Sequence, residues 1–153
     1  MKVRYHHDMI GVNSRLDTIQ ASILRVKLPH LDGYNKARQN AACKYDKALY
    51  GISEIETPTT ADFTNHIFHQ YTIKVKNGKR DALKKHLDQS GIPNMVYYPI
   101  PLHKQKAFEP FVAINQKFPF SDTLCDEVLS LPMHTELDDE QIEFITSAVK
   151  KFL

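Results

Sequence analysis

Three places in this sequence hold residue types and spacings that could do chemistry. Asn13 precedes a run with helical apolar spacing. An asparagine just outside a helix start can donate its side-chain amide to a phosphate, where unpaired backbone N–H groups and the positive dipole end favour an anion. The same residue serves equally well as a plain cap. Further on, YYPIPLHKQ, Tyr97 to Gln105, puts two tyrosines, two prolines and a histidine in one constrained loop. Such a loop holds side chains at a site edge with little entropy left to lose, and it can also simply pack. Third, the eight histidines include His66-x-x-His69 and His6-His7. A zinc site needs three or four converging ligands, and neither Cys43 nor Cys125 joins these histidines at a recognised spacing. Cys43 falls within a helical pattern and Cys125 in an apolar-polar mix, so both are read as core-filling thiols rather than nucleophiles. Neither GxGxxG nor GxxxxGK[ST] occurs.

The elements that must carry these residues follow from periodicity. Ser14 with Asp17 three residues on resembles a capping box, and Leu16, Ile19, Ile23 and Val26 recur at helical spacing. A helix is therefore predicted to start near Arg15 and break near Leu28. Pro29 then falls in the first turn of a second helix, whose buried stripe is Leu31, Tyr34, Ala41, Tyr45 and Leu49 up to Gly51. Spacing then changes to alternation: Tyr71, Ile73 and Val75 share one face of a strand closed by Asn77-Gly78. Asp81 to Gln89 reads as a helix with Leu83 and Leu87 inward, NMVYYP as a second strand, Ser121 to Glu127 as a short helix and VLSLP as a third strand. Asp138 with Gln141 caps a last helix bearing Ile142, Ile145, Val149 and Phe152. This order predicts an α+β domain whose small sheet is covered on one face by helices. The strand-helix-strand piece from Gln70 to Tyr98 is long enough for a parallel crossover, leaving strand order open.

Composition sets the outer bounds. A chain of 153 residues can bury roughly 70% of its unfolded surface in one domain. No apolar run reaches membrane-spanning length, and MKVRYHHDMIG lacks a secretory apolar core. Two distant cysteines suit reduced thiols in the cytoplasm. The net charge of +2 gives weak support for nucleic-acid binding. The most basic stretch, with Lys79, Arg80, Lys84 and Lys85, reads as the wet side of a helix.

Taken in order, GVNSRLDTIQASILRVKLPHLDGYNKAR, HIFHQYTIKV, GIPNMVYYPIPLHKQKAF, FPFSDTLCDEVLSLPMH and ELDDEQIEFI resemble the C-terminal part of the DegT/StrS family of sugar aminotransferases. The resemblance runs from about Tyr5 to the C-terminus. It implies the small C-terminal domain of a fold-type I pyridoxal phosphate (PLP) aminotransferase, with long N-terminal helices and a mainly antiparallel sheet. It further implies residues 1–50 as a helical segment linking to a large PLP-binding domain, residues 51–153 as the small α/β domain, and one compact unit overall. The implied activity is amino transfer to nucleotide-linked keto-sugars, in amino-sugar biosynthesis for cell-surface polysaccharide or secondary metabolites.

In that family a lysine forms the Schiff base with PLP and an acidic residue keeps the pyridine nitrogen protonated, both upstream of the block matching Gly11 to Arg15. Ten residues precede Gly11 here, and Lys2, their one lysine, lacks the family's serine-containing lead-in and the glycine-rich segment that follows. The expectation is a chain without the catalytic lysine, inactive alone and binding no PLP by itself, with no catalytic residue of its own and no metal. The asparagine matching Asn13 reaches across a dimer interface to the phosphate of the partner subunit's PLP in relatives, and Arg15 matches an arginine near that interface. The loop matching Tyr98 and His103 lies near the sugar-nucleotide site. Partners implied are a homodimer mate or self-association, the large PLP domain and a nucleotide sugar, without nucleic acid or membrane. The alternative is a stand-alone, non-catalytic interaction or sugar-nucleotide-binding module.

Overall fold

The computed structural model describes residues 4–113 and 116–153, so Lys2 lies outside the described residues. Two helices come first, α1 (Thr18–Lys27) and α2 (Leu31–Leu49), joined by a 3₁₀ turn at Leu28–His30 that contains Pro29. Strand β1 (Ile55–Glu56) and strand β2 (Tyr71–Val75) follow, then α3 (Arg80–Gln89), α4 (Pro119–Glu127), β3 (Val128–Leu131) and α5 (Asp139–Phe152). The sheet has the order β1-β2-β3 and is antiparallel throughout, with Ile55 opposite Val75, Tyr71 opposite Leu131 and Ile73 opposite Leu129. The α+β class is as expected, and the parallel crossover is not what the chain adopts. No helix among the described residues is long and apolar enough to cross a membrane.

One core joins α2, α3, α5 and the sheet. Tyr71, Ile73 and Val75 alternate inward from β2 and meet Tyr45 and Leu49 of α2, Leu83 and Leu87 of α3, Leu129 of β3, and Ile142, Ile145 and Val149 of α5. Each fully buried aliphatic side chain contributes about 1.5–3 kcal/mol. The Tyr45 and Tyr71 rings stack at 4.7 Å between centroids. Their hydroxyls still find acceptors, the Pro132 carbonyl at 2.9 Å and Asp46 Oδ1 at 2.5 Å. Burial pushes both phenols far above the usual tyrosine range, and for Tyr71 the Asp46 carboxylate adds to that rise.

The predicted caps are realised at α5 and at the end of α3. Asp138 Oδ1 accepts from Gln141 N–H at 2.8 Å while Gln141 Oε1 accepts from Asp138 N–H at 3.2 Å, closing both halves of the capping box. At the end of α3 the Ile92 N–H reaches the Leu87 carbonyl at 2.9 Å, with Gly91 at φ +70 in the left-handed conformation this closure needs. Asn77 and Gly78 are both left-handed, at φ +60 and +67, as the Asn-Gly pair predicts.

Several expectations fail, each for a local reason. α1 begins at Thr18, not near Arg15, because Asp17 takes the cap by accepting from Gln20 N–H at 2.9 Å. The Ser14 hydroxyl instead lies 3.4 Å from the Arg15 carbonyl. Leu31 and Tyr34 are exposed, since the core meets α2 only from Ala41 onward. Cys43 is exposed as well, because the buried stripe runs through Ala41, Ala42, Tyr45 and Leu49 and turns residue 43 outward. NMVYYP forms no strand: Met95 makes one bridge to Ser130, bounded by Pro93 and Pro99, which have no N–H to extend a ladder. Arg80 is buried, not wet: it donates to the carbonyls of Cys125 at 2.9 Å and Val128 at 3.2 Å, tying α3 to the end of α4. Strand β1 carries too short a pattern to be read from alternation.

Candidate ligand cleft between the aromatic loop and helix α4

Pro99 and Pro101 restrict the loop after Tyr98, and a 3₁₀ turn at Leu102–Lys104 closes it, with Lys104 N–H on the Pro101 carbonyl at 2.9 Å. A second 3₁₀ segment, Lys106–Phe111, follows. Opposite this loop runs α4, entered through Pro119 in its first turn, where a missing N–H costs nothing. Between them opens a cleft of about 900 Å³, walled by Tyr98, His103, Phe108, Phe118, Leu124 and Cys125, with His7 reaching it from the chain's start. Tyr98 and His103, separated in the loop by two prolines, thus share one cavity.

The imidazole of His103 is packed against Phe118 with 4.8 Å between ring centroids, and its Nε2 lies 3.2 Å from Asp122 Oδ1. Lys104 Nζ reaches the same oxygen at 2.7 Å. That contact holds the Asp122 carboxyl below the usual carboxylate range and the Lys104 amine above its ordinary value. Cys125 is half-buried, and burial, with the Asp126 and Asp122 carboxylates, pushes its thiol up, so it stays neutral rather than a thiolate nucleophile. Tyr5 packs edge-on to Tyr98 at 5.2 Å and Tyr97 at 5.7 Å, and hydrogen bonding to Tyr5 raises the Tyr97 phenol. The cleft therefore offers aromatic faces and hydrogen-bonding groups, suited to holding rings and hydroxyls.

Asn13 and Arg15 stand elsewhere, on an exposed, irregular segment before α1, and neither lines the cleft. The mouth of α1 is occupied by Asp17: its carboxylate takes Gln20 N–H and its carbonyl takes Ala21 N–H at 2.9 Å. The helix dipole therefore gives Asn13 no anion site, and any phosphate contact it makes rests on its own amide. The histidine pair is also accounted for locally, since His66 Nδ1 accepts from Phe68 N–H at 2.9 Å. Among the described residues no three His, Cys, Asp or Glu side chains group as metal ligands. Sequence reasoning weighed His7 only as a metal ligand and gave Phe118 and Asp122 no site role, because nothing local ties these residues to a loop that lies far from them in the chain.

The model of the DegT/DnrJ/EryC1/StrS aminotransferase family matches residues 1–150. The chain is 43% identical over 149 residues to the UDP-N-acetyl-3-dehydro-alpha-D-glucosamine 3-aminotransferase of Acidithiobacillus ferrooxidans, covering 97% of this chain and 39% of that protein. It is 40% identical over 146 residues to the UDP-2-acetamido-2-deoxy-3-oxo-D-glucuronate aminotransferase of Pseudomonas aeruginosa, covering 95% and 39% respectively. The crystal structure of S. venezuelae DesV in complex with a ketimine intermediate superposes with a TM-score of 0.83 at 34% identity, covering 99% of this chain and 40% of that one. The chain thus spans about two fifths of the length of the curated relatives it matches. It belongs to the DegT/DnrJ/EryC1/StrS aminotransferase family.

Proposed function

We propose that this chain is the C-terminal part of a cytoplasmic, PLP-dependent aminotransferase that acts on nucleotide-linked keto-sugars, and that it supplies one wall of the nucleotide-sugar site. The observation that carries this is the convergence of Tyr98 and His103 on one aromatic cleft of about 900 Å³. Four relatives between 35% and 43% identical carry names with UDP- or dTDP-linked sugars, and a fifth, at 40%, is named a pleiotropic regulatory protein. In this reading the rings of Tyr98, Phe108 and Phe118 flank the planar or sugar portion of the ligand, and the imidazole of His103 donates to hydroxyl or diphosphate oxygens.

The described residues fit PLP in part. No lysine lines the cleft, so its walls hold no candidate for the residue that carries the cofactor aldehyde. Asn13 and Arg15 are exposed donors on an irregular segment, which suits a phosphate presented by a second subunit of a homodimer. When bound, PLP supplies the carbonyl that shuttles an amino group between donor and acceptor. This chain's share is to fix the phosphate through Asn13, with Arg15 beside it, and to orient the sugar through Tyr98 and His103.

The test begins with a PLP titration, borohydride reduction and mass mapping. Scattered or absent lysine labelling is expected, and one stoichiometric adduct would overturn the division of labour. Pairing the chain with the large domain of a relative should then restore amino transfer to a nucleotide keto-sugar, with His103→Ala raising KM. A folded pair with nucleotide-sugar binding but no transfer would favour a stand-alone binding module.

A further inference from the structure

Gln105 is 5% exposed, and two of its three hydrogen-bond partners lie about a hundred positions away. Its Nε2 donates to the Tyr5 carbonyl at 2.8 Å and the Ile100 carbonyl at 3.4 Å, and its Oε1 accepts from the His7 N–H at 3.0 Å. The Ala107 N–H adds a bond to the His7 carbonyl at 3.0 Å. The side chain thus acts as a stretch of backbone, pairing residues 5–7 with residues 105–107. Residues 5–7 bring Tyr5 onto the Tyr98 ring and His7 to the cleft rim, and then lead through exposed Met9, Ile10 and Val12 to Asn13.

We infer that Gln105 is a positioning residue: it clasps the segment leading to Asn13 onto the cleft loop, so that a ligand in the cleft orders both. A primary amide offers separate donor and acceptor atoms on one side chain, and the clasp uses both. Segment 8–13 is exposed throughout, so its order depends on a few anchors, of which Gln105 is the most buried. A ligand that stiffens the loop therefore also slows opening of residues 5–7, linking the cleft to the stretch that presents Asn13 and Arg15. This coupling rests on the proposed reading of the cleft as a nucleotide-sugar site.

Amide hydrogen exchange on the whole chain tests it, with UDP-N-acetylglucosamine as the probe and Gln105→Met as the main variant. Methionine fills the space without either hydrogen bond, so it retains what packing alone contributes. The His7 and Ala107 amides are expected to exchange about tenfold faster in Gln105→Met, with Ile73 and Leu129 unchanged. In the native chain the probe is expected to shift Tyr98 and His103 resonances and slow His7 exchange, and Gln105→Met should abolish the slowing while the cleft resonances still respond. Unchanged His7 exchange in Gln105→Met would overturn the clasp. Cleft shifts without slowing at His7 in the native chain would overturn the coupling alone, whereas no shift at Tyr98 or His103 would overturn the cleft reading and the coupling with it. Gln105→Glu keeps the acceptor for the His7 N–H and loses only the donor to the Tyr5 and Ile100 carbonyls, so its His7 amide is expected to exchange more slowly than in Gln105→Met.

Discussion

His103 Nε2 lies 3.2 Å from Asp122 Oδ1, the same oxygen that takes the Lys104 ammonium at 2.7 Å. One carboxylate thus fixes the imidazole's orientation and draws the neighbouring lysine away from the cleft.

The pair gives a pH dependence of definite sign. Lys104, through its hydrogen bond, lowers the folded Asp122 carboxyl below its ordinary value of about 3.9. Its contribution is therefore complete above that value and is lost as pH falls through the lowered folded value. Lys104 is raised by Asp122, so its contribution is present below about 10.4 and is lost as pH rises through the raised value. Carboxyl-carbon NMR should show Asp122 titrating below a free aspartate, and Lys104→Met should bring it back up. An unshifted Asp122 would mean that the pair does not persist in solution.

Arg80 yields a stability prediction. Its side chain is 11% exposed and satisfies the Cys125 and Val128 carbonyls at the junction of α4 and β3. Arg80→Met removes the bonds to both carbonyls, along with the Nε contact to the exposed Asp81 carboxylate, and leaves buried acceptors unpaired, an expected loss of about 2–3 kcal/mol. The urea midpoint should fall at unchanged slope, while Lys85→Met, on the exposed face of the same helix, should stay within about 0.5 kcal/mol.

Arg80 also marks where sequence reading stopped. The Tyr71, Ile73, Val75 alternation, the Asn77-Gly78 turn and the Asp138–Gln141 cap were all legible, because each is set by neighbours within a few residues. Arg80, Cys43 and the failed NMVYYP strand depend on which distant surface each residue meets, and a basic run or an apolar stripe carries no such information. The cleft divides the same way. Tyr98 and His103 belong to one motif-bearing loop, whereas Asp122 and His7 arrive through α4 and the chain's start. Two caps competed before α1, and the charged acceptor three residues closer to the apolar run prevailed.

That competition separates two functions at α1. Asp17→Ala removes the cap and should cost about 1 kcal/mol of stability. Asn13→Ala touches no cap and should stay within about 0.5 kcal/mol, yet weaken PLP retention in a reconstituted homodimer. Chemical denaturation and cofactor release rates measure the two separately. Unchanged release from the Asn13→Ala dimer would remove the phosphate role.

Helix α1 presents an apolar face that the other described residues leave uncovered. This ten-residue helix buries none of its residues, and Ile19, Ile23, Leu24 and Val26 are exposed together with Leu16 before it. An isolated helix of that length is marginal in water, so a stable α1 calls for a partner surface, and contiguous apolar exposure of this kind marks an interface. A second copy of the chain is the expected occupant in the absence of a large domain. Sedimentation velocity should show concentration-dependent association, abolished by Ile19→Glu with Ile23→Glu. The double variant should leave the urea midpoint within about 0.5 kcal/mol, because neither side chain reaches the core. A native chain that stays monomeric at every accessible concentration would show that α1 does not mediate self-association.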